Sequence, residues 1–125
     1  MAQHILIVDD DERLTEMLAG YLMPRGFSVE RRADGRSGLS ALEASDFDDV
    51  ILDVMLPDTD GFEVCRRIRE DEGLAATKVL IISSKSYLHD VTTAIKETGA
   101  DGYVVKPFEI DDFKSRVAAL LGGGA

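Results

Sequence analysis

The sequence predicts an α/β domain: a five-stranded parallel sheet covered by helices on both faces. Three observations predict it. Apolar strand-like runs and amphipathic helical stretches alternate five times along the chain. The first run, HILIV, is apolar and rich in β-branched residues, as suits a strand buried on both faces. At 125 residues and 45% apolar, the chain is long enough for one domain with one real core, and parallel strands within it need helical crossovers.

Strand β1 is predicted over residues 4–8 and ends abruptly in Asp9-Asp10-Asp11. Helix α1 follows over 12–23, with Leu14, Met17, Leu18, Tyr21 and Leu22 at helical spacing and an acidic start that suits the helix dipole. Pro24 and Gly26 end it. Residues 27–31 (FSVER) alternate as β2, nearer a sheet edge, and Asp34-Gly35 turns the chain into α2 over 36–44, with Leu39 and Leu42 inward. Strand β3, 49–53, closes on Asp53. A loop punctuated by Pro57 and Gly61 leads into α3, 62–70, which carries Phe62, Cys65 and Ile68 on one face. Cys65 there reads as a small buried hydrophobe. Strand β4, 79–82, stops at Ser83-Ser84. A weaker helix, α4, is expected over 88–98, with Val91, Ala94 and Ile95 inward and Gly99 as its C-cap. Strand β5, 103–105, runs into Lys106-Pro107. Helix α5, 110–121, carries Ile110, Phe113, Val117, Leu120 and Leu121 on its core side, and residues 122–125 form a Gly-rich tail or linker stub.

Charge and composition exclude several function classes. The formal net charge is −10, from 24 acidic and 14 basic residues, which disfavours direct binding to nucleic acid and favours cations or a basic partner surface. No apolar run approaches a membrane span and no secretory signal precedes the first strand. The single cysteine permits no internal disulfide and no thiolate metal site, and fits a cytoplasmic setting.

In a parallel sheet all carboxyl ends lie along one edge, where open α/β sheets bind their ligands. Asp9 and Asp10 follow β1, Asp53 closes β3, Ser83 follows β4 and Lys106 follows β5. Read singly, these are a helix start, a turn residue, an N-cap and a surface lysine. Together they are a chemical set. Three carboxylates repel one another unless a cation joins them, and Mg²⁺ takes one or two carboxylates plus waters and a phosphate oxygen. A nucleophilic carboxylate, a metal and a lysine suit phosphoryl transfer.

With those residues in place, the chain resembles the receiver domain of two-component response regulators over nearly all of its length, 1–121. The matching motifs are ILIVDDD at 5–11, LDVMLPDTDG at 52–61, LIISS at 80–84 and GADGYVVKPF at 99–108. The resemblance implies a flavodoxin-like sheet of order 2-1-3-4-5. It implies that Asp53 accepts a phosphoryl group from a histidine kinase or phosphotransfer protein. Asp9, Asp10, Asp53 and the Met55 backbone carbonyl would hold Mg²⁺, and Lys106, joined to Pro107 by a cis bond, would pair with the phosphoryl group. Ser83 takes the switch hydroxyl position, where Thr is commoner, and Tyr103 the aromatic switch position. Ser84 stands where a small residue is usual, and Met55 and Lys85 flank the acceptor where residues tune the lifetime of the phosphorylated state. The α4-β5-α5 face would then control an output domain or protein, with phosphorylation-dependent homodimerisation among its outlets. On this reading the domain is not a dedicated enzyme, though it catalyses its own phosphorylation and slow dephosphorylation. His4 and His89 are solitary and receive no role. Three competing readings are a binding module that works without phosphorylation, a flavin carrier of the same topology, and a phosphatase, for which the chain offers no evident pocket for an external substrate. The acidic loop after β1 would repel a flavin phosphate.

Overall fold

The computed structural model describes residues 3–84, 96, 99–106 and 108–120, without the side chains of Ser83, Ser84 and Leu120. The observed strands are β1 (His4–Val8), β2 (Ser28–Arg32), β3 (Asp49–Asp53), β4 (Lys78–Ser84) and β5 (Gly102–Lys106), all parallel, in the order β2-β1-β3-β4-β5. The helices are α1 (Glu12–Leu22), α2 (Gly35–Ala44), α3 (Gly61–Glu70) and α5 (Ile110–Leu120). Apart from residue 96, the helix expected over 88–98 lies outside the described residues, as do Lys85, His89, Pro107, Leu121 and the tail at 122–125.

Strand alternation divides the core in two. Leu6, Val8, Val50, Leu52, Val79 and Ile81 point to one face and are buried with Ala41 and Leu42 of α2 and Phe62, Cys65 and Ile68 of α3. Ile5, Ile7, Ile51, Leu80, Ile82 and Val104 point to the other, under Leu18 and Leu22 of α1 and Phe113 and Val117 of α5. Each buried Val, Leu, Ile or Phe among them contributes roughly 1.5–3 kcal/mol by burial. The two-sided apolar pattern is therefore what places β1, β3 and β4 in the middle of the sheet.

The structure differs from the sequence expectation at several places. Met17 is 45% exposed on the outer side of α1, and the buried positions of that helix are instead Thr15, Leu18, Ala19 and Leu22. Helical spacing alone leaves a residue on the rim of an apolar stripe ambiguous, and here the small Thr15 and Ala19 let the helix lie close to the sheet. Helix α1 also ends one residue earlier, handing over to a 3-10 turn, Met23–Arg25, closed by Gly26 at φ 95°. Strand β4 extends to Ser84 because β5 pairs with it through Ser84↔Lys106. Gly99 adopts φ 78°, in the left-handed region; the helix it was expected to cap lies, but for residue 96, outside the described residues.

Candidate functional site

The register of the sheet assembles the site. Val8 is paired with Leu52, so the next residues, Asp9 and Asp53, emerge side by side from adjacent strands. Asp53 is paired with Ile82, and Ile82 with Val104, which sets Lys106 two residues further along the neighbouring strand. From there the Lys106 ammonium donates to Asp9 Oδ2 at 3.0 Å and lies 3.5 Å from Asp53 Oδ2. The side chain of Asp9 is fully buried and Asp53 nearly so, whereas Asp10 is exposed.

Local bonds hold both buried carboxylates. The Asp11 N–H donates to Asp9 Oδ1 at 2.9 Å, and the Met55 N–H to Asp53 Oδ1 at 3.3 Å. Asp11 then caps α1, accepting from the Leu14 N–H, so the acidic triplet divides its labour between site and helix. Asp9, Asp10 and Asp53 each offer a carboxylate oxygen within 4.8 Å of the other two. Three clustered hard oxygen donors, two of them buried, fit a divalent cation of the Mg²⁺ type, since the cluster otherwise carries unbalanced negative charge.

The electrostatics register that tension. Burial, then the Asp9 charge, pushes the Asp53 carboxyl up to about 6, against the opposing pull of Lys106 and the Met55 N–H. For Lys106, burial disfavours the ammonium, yet its bonds and charge contacts with Asp9 and Asp53 prevail and raise its pKa.

The loop after β3 is closed tightly. Val54 N–H donates to the Ile82 carbonyl at 2.9 Å, Gly61 N–H to the Val54 carbonyl at 2.8 Å, and Met55 bridges Asp60 across the loop. Gly61 opens α3 rather than ending the loop, and a Cβ there would overlap the Asp53 carbonyl oxygen and lie 2.8 Å from Val54 Cα. Asp60 caps α3 by accepting from the Phe62 N–H at 2.7 Å. Asp58 reaches across to α2, where its two oxygens accept from the Gly35 and Arg36 N–H groups at 2.8 and 2.9 Å, and those bonds lower its pKa.

The structure thus brings Asp9, Asp10, Asp53 and Lys106 together, with the Met55 backbone beside them. Ser83 follows Ile82 at the same strand end, paired with Val105, but its side chain lies outside the description. Tyr103 is half-buried on β5, packed beside the α2/α3 core, with the Arg116 guanidinium 5.1 Å from its ring centre. Sequence reasoning missed Asp58, Asp60 and the close approach at Gly61. For Asp60 a signal existed, since Asp60 followed by Glu63 has the spacing of a capping box. Nothing in the sequence marks the contact between Asp58 and α2.

Comparison with known proteins gives the family and the fold. The response regulator receiver domain model matches residues 5–118. The response regulator ArlR of Staphylococcus haemolyticus is 39% identical over 118 residues, 94% of this chain and 52% of the relative. Transcriptional regulatory protein TcrA of Mycobacterium tuberculosis is 40% identical over 120 residues, 96% of this chain and 46% of the relative. The chain therefore spans about half the length of the curated relatives it matches. Among solved structures, the chemotaxis response regulator CheY4 of Vibrio cholerae superposes with a TM-score of 0.88 at 28% identity, over 96% of this chain and 99% of that one. The chain belongs to the response regulator receiver domain family.

Proposed function

We propose that this receiver domain is a phosphorylation-dependent switch in which Asp53 takes a phosphoryl group from the phosphohistidine of a sensor kinase or phosphotransfer protein. The observation that carries the reading is the Lys106 ammonium, 3.0 Å from Asp9 and 3.5 Å from Asp53, inside a cluster of three carboxylates. An Asp53 carboxylate oxygen attacks phosphorus, the phosphorus–nitrogen bond breaks, and the imidazole leaves with the bonding electron pair and takes up a proton. Lys106 meets the negative charge on the transferred group. Asp9, pinned by the Asp11 N–H, holds Lys106 in place, and the Met55 N–H orients the nucleophile. Asp9, Asp10, Asp53 and the Met55 carbonyl would hold Mg²⁺, which supplies charge neutralisation of the phosphoryl oxygens.

After transfer, the Ser83 hydroxyl donates to a new phosphoryl oxygen and Tyr103 turns inward. That remodels the face of α4, β5 and α5, a two-state change biased by local charge. The face acts on an output domain or protein, or on a second copy of the chain. One relative's name describes a transcriptional regulator, consistent with an output carried by another part of such proteins. The acidic domain itself does not contact nucleic acid and works in the cytoplasm; no helix among the described residues is long and apolar enough to cross a membrane. It is not a dedicated enzyme, but it catalyses its own phosphorylation and slow dephosphorylation.

The test is incubation with Mg²⁺ and acetyl phosphate followed by intact mass. The expected result is a labile increment of one phosphoryl group in the wild type and none in Asp53→Ala. A wild type without the increment, or a variant that keeps it, overturns the reading.

A further inference from the structure

We propose that Asp58 is a positioning residue for the Asp53 site: by seating both carboxylate oxygens on the first amides of α2, it holds the β3–α3 loop, and with it the Met55 backbone, against the acid cluster. The proposal rests on the phosphoryl-transfer reading for its purpose, but its geometry stands alone.

Loop 54–60 is fastened at its base by the Gly61–Val54 hydrogen bond and the Met55–Asp60 bridge. Its tip, Pro57-Asp58-Thr59, extends past those fastenings toward α2. Two hydrogen bonds of 2.8 and 2.9 Å, from the Gly35 and Arg36 amides to separate oxygens of Asp58, tie the tip to that helix. The contact is close: a Cβ on Gly35 would overlap Thr59 Cγ2 and lie 3.3 Å from both Asp58 Oδ1 and Val64 Cγ2.

Helix α2 already has a cap of its own. Asp34 accepts from the Ser37 N–H through Oδ1 at 2.8 Å and from the Gly38 N–H through its carbonyl at 3.1 Å. Asp58 takes the two amides that this local cap leaves, so its effect is to join two elements rather than to start one. What it steadies matters at the site. The Met55 N–H reaches Asp53 Oδ1 at 3.3 Å, already beyond the usual N–H···O range, so a small outward shift of the loop breaks the bond. The same shift withdraws the Met55 backbone from the carboxylates.

The test compares wild type with Asp58→Ala, Asp58→Asn and Glu43→Gly, by Mg²⁺ calorimetry and by hydrogen exchange at the Met55 amide in the metal-free proteins. Asp58→Ala should weaken Mg²⁺ binding about tenfold, the low end of what losing support around a metal site costs, and should speed exchange at Met55. Asp58→Asn, left with one oxygen acceptor, should fall between, and it carries the test if Asp58→Ala does not fold. Glu43→Gly weakens α2 at its exposed far end, away from the amides that hold Asp58, so it should lower the melting temperature and leave both site readouts unchanged. Equal Mg²⁺ affinity and equal Met55 exchange in Asp58→Ala and wild type overturn the proposal, as does a Glu43→Gly protein with the same losses. If the wild type binds no Mg²⁺, the metal reading of the site fails, while the Met55 exchange still decides whether Asp58 holds the loop.

Discussion

Strand β3 begins and ends on a buried aspartate. Asp49, 2% exposed, and Asp53, 5% exposed, are both pushed up to about 6, in each case chiefly by burial. Their surroundings then diverge. At the carboxyl end, Asp53 receives the Met55 N–H, lies 3.5 Å from the Lys106 ammonium, and has two further carboxylates within reach of a shared cation. At the amino end, Asp49 sits between Ile5 and Lys78 in the sheet; Asp48 and Asp101 raise its pKa further and Lys78 opposes them. Its Oδ2 is buried and finds no hydrogen-bond partner among the described residues. The comparison teaches that a perturbed carboxyl does not by itself mark a site. Convergence of loops from several strands does, and in a parallel sheet it occurred here at the carboxyl edge.

The largest test of this contrast is chemical. Asp53→Ala should abolish phosphoryl uptake from acetyl phosphate, whereas Asp49→Asn should retain it, both read by intact mass. Uptake lost in Asp49→Asn and kept in Asp53→Ala would invert the assignment of the two ends.

Next comes the loop that only the Asp53 end possesses. Gly61→Ala forces a methyl group against the Asp53 carbonyl, and should cost about 3 kcal/mol of stability, the upper range for overpacking, together with slower phosphorylation. Urea unfolding measures the first effect. A variant as stable as wild type would mean that the loop tolerates a wider approach.

The amino end predicts a pH effect. A carboxyl whose folded pKa exceeds its unfolded value favours the folded state fully below about pH 4, and that advantage is lost as pH rises through about 6. Stability in chelator should therefore fall between these values, by up to about 3 kcal/mol from Asp49 alone. Asp49→Asn should flatten that part of the curve and be the more stable protein at neutral pH; an unchanged curve would show that Asp49 titrates normally.

The smallest effect is that of the metal. Mg²⁺ at about a hundred times its Kd should add about 2.7 kcal/mol in the wild type, much less in Asp10→Asn, and the full amount in Asp49→Asn. Melts with chelator and with excess Mg²⁺ check this.

Much of the site was legible because its parts occupy equivalent positions. Each lies just past an apolar run, and parallel pairing carries equivalent positions to one edge, so Asp9, Asp53 and Lys106 could be grouped before any distance was known. Asp58 and Gly61 were not legible in the same way. Asp58 bonds to residues 22 and 23 positions earlier, and nothing in PDTDG says which helix start lies opposite. Gly61 reads as loop punctuation, while its role is the close passage of α3 past the Asp53 backbone. Met17 was misplaced for a related reason: a helical stripe gives a direction, but the neighbouring surface decides where the stripe ends.

The sequence by itself determined the alternation of strands and helices, the two-sided burial of the central strands and the grouping of acids with a lysine, because these follow from local periodicity and chain order. Tertiary structure alone decided the rest. It set how closely Lys106 bridges Asp9 and Asp53, that Asp49 is buried with an unpartnered oxygen among the described residues, and where the β3–α3 loop is anchored. Those outcomes depend on sheet register and on contacts between elements remote in sequence, which residue types do not encode locally.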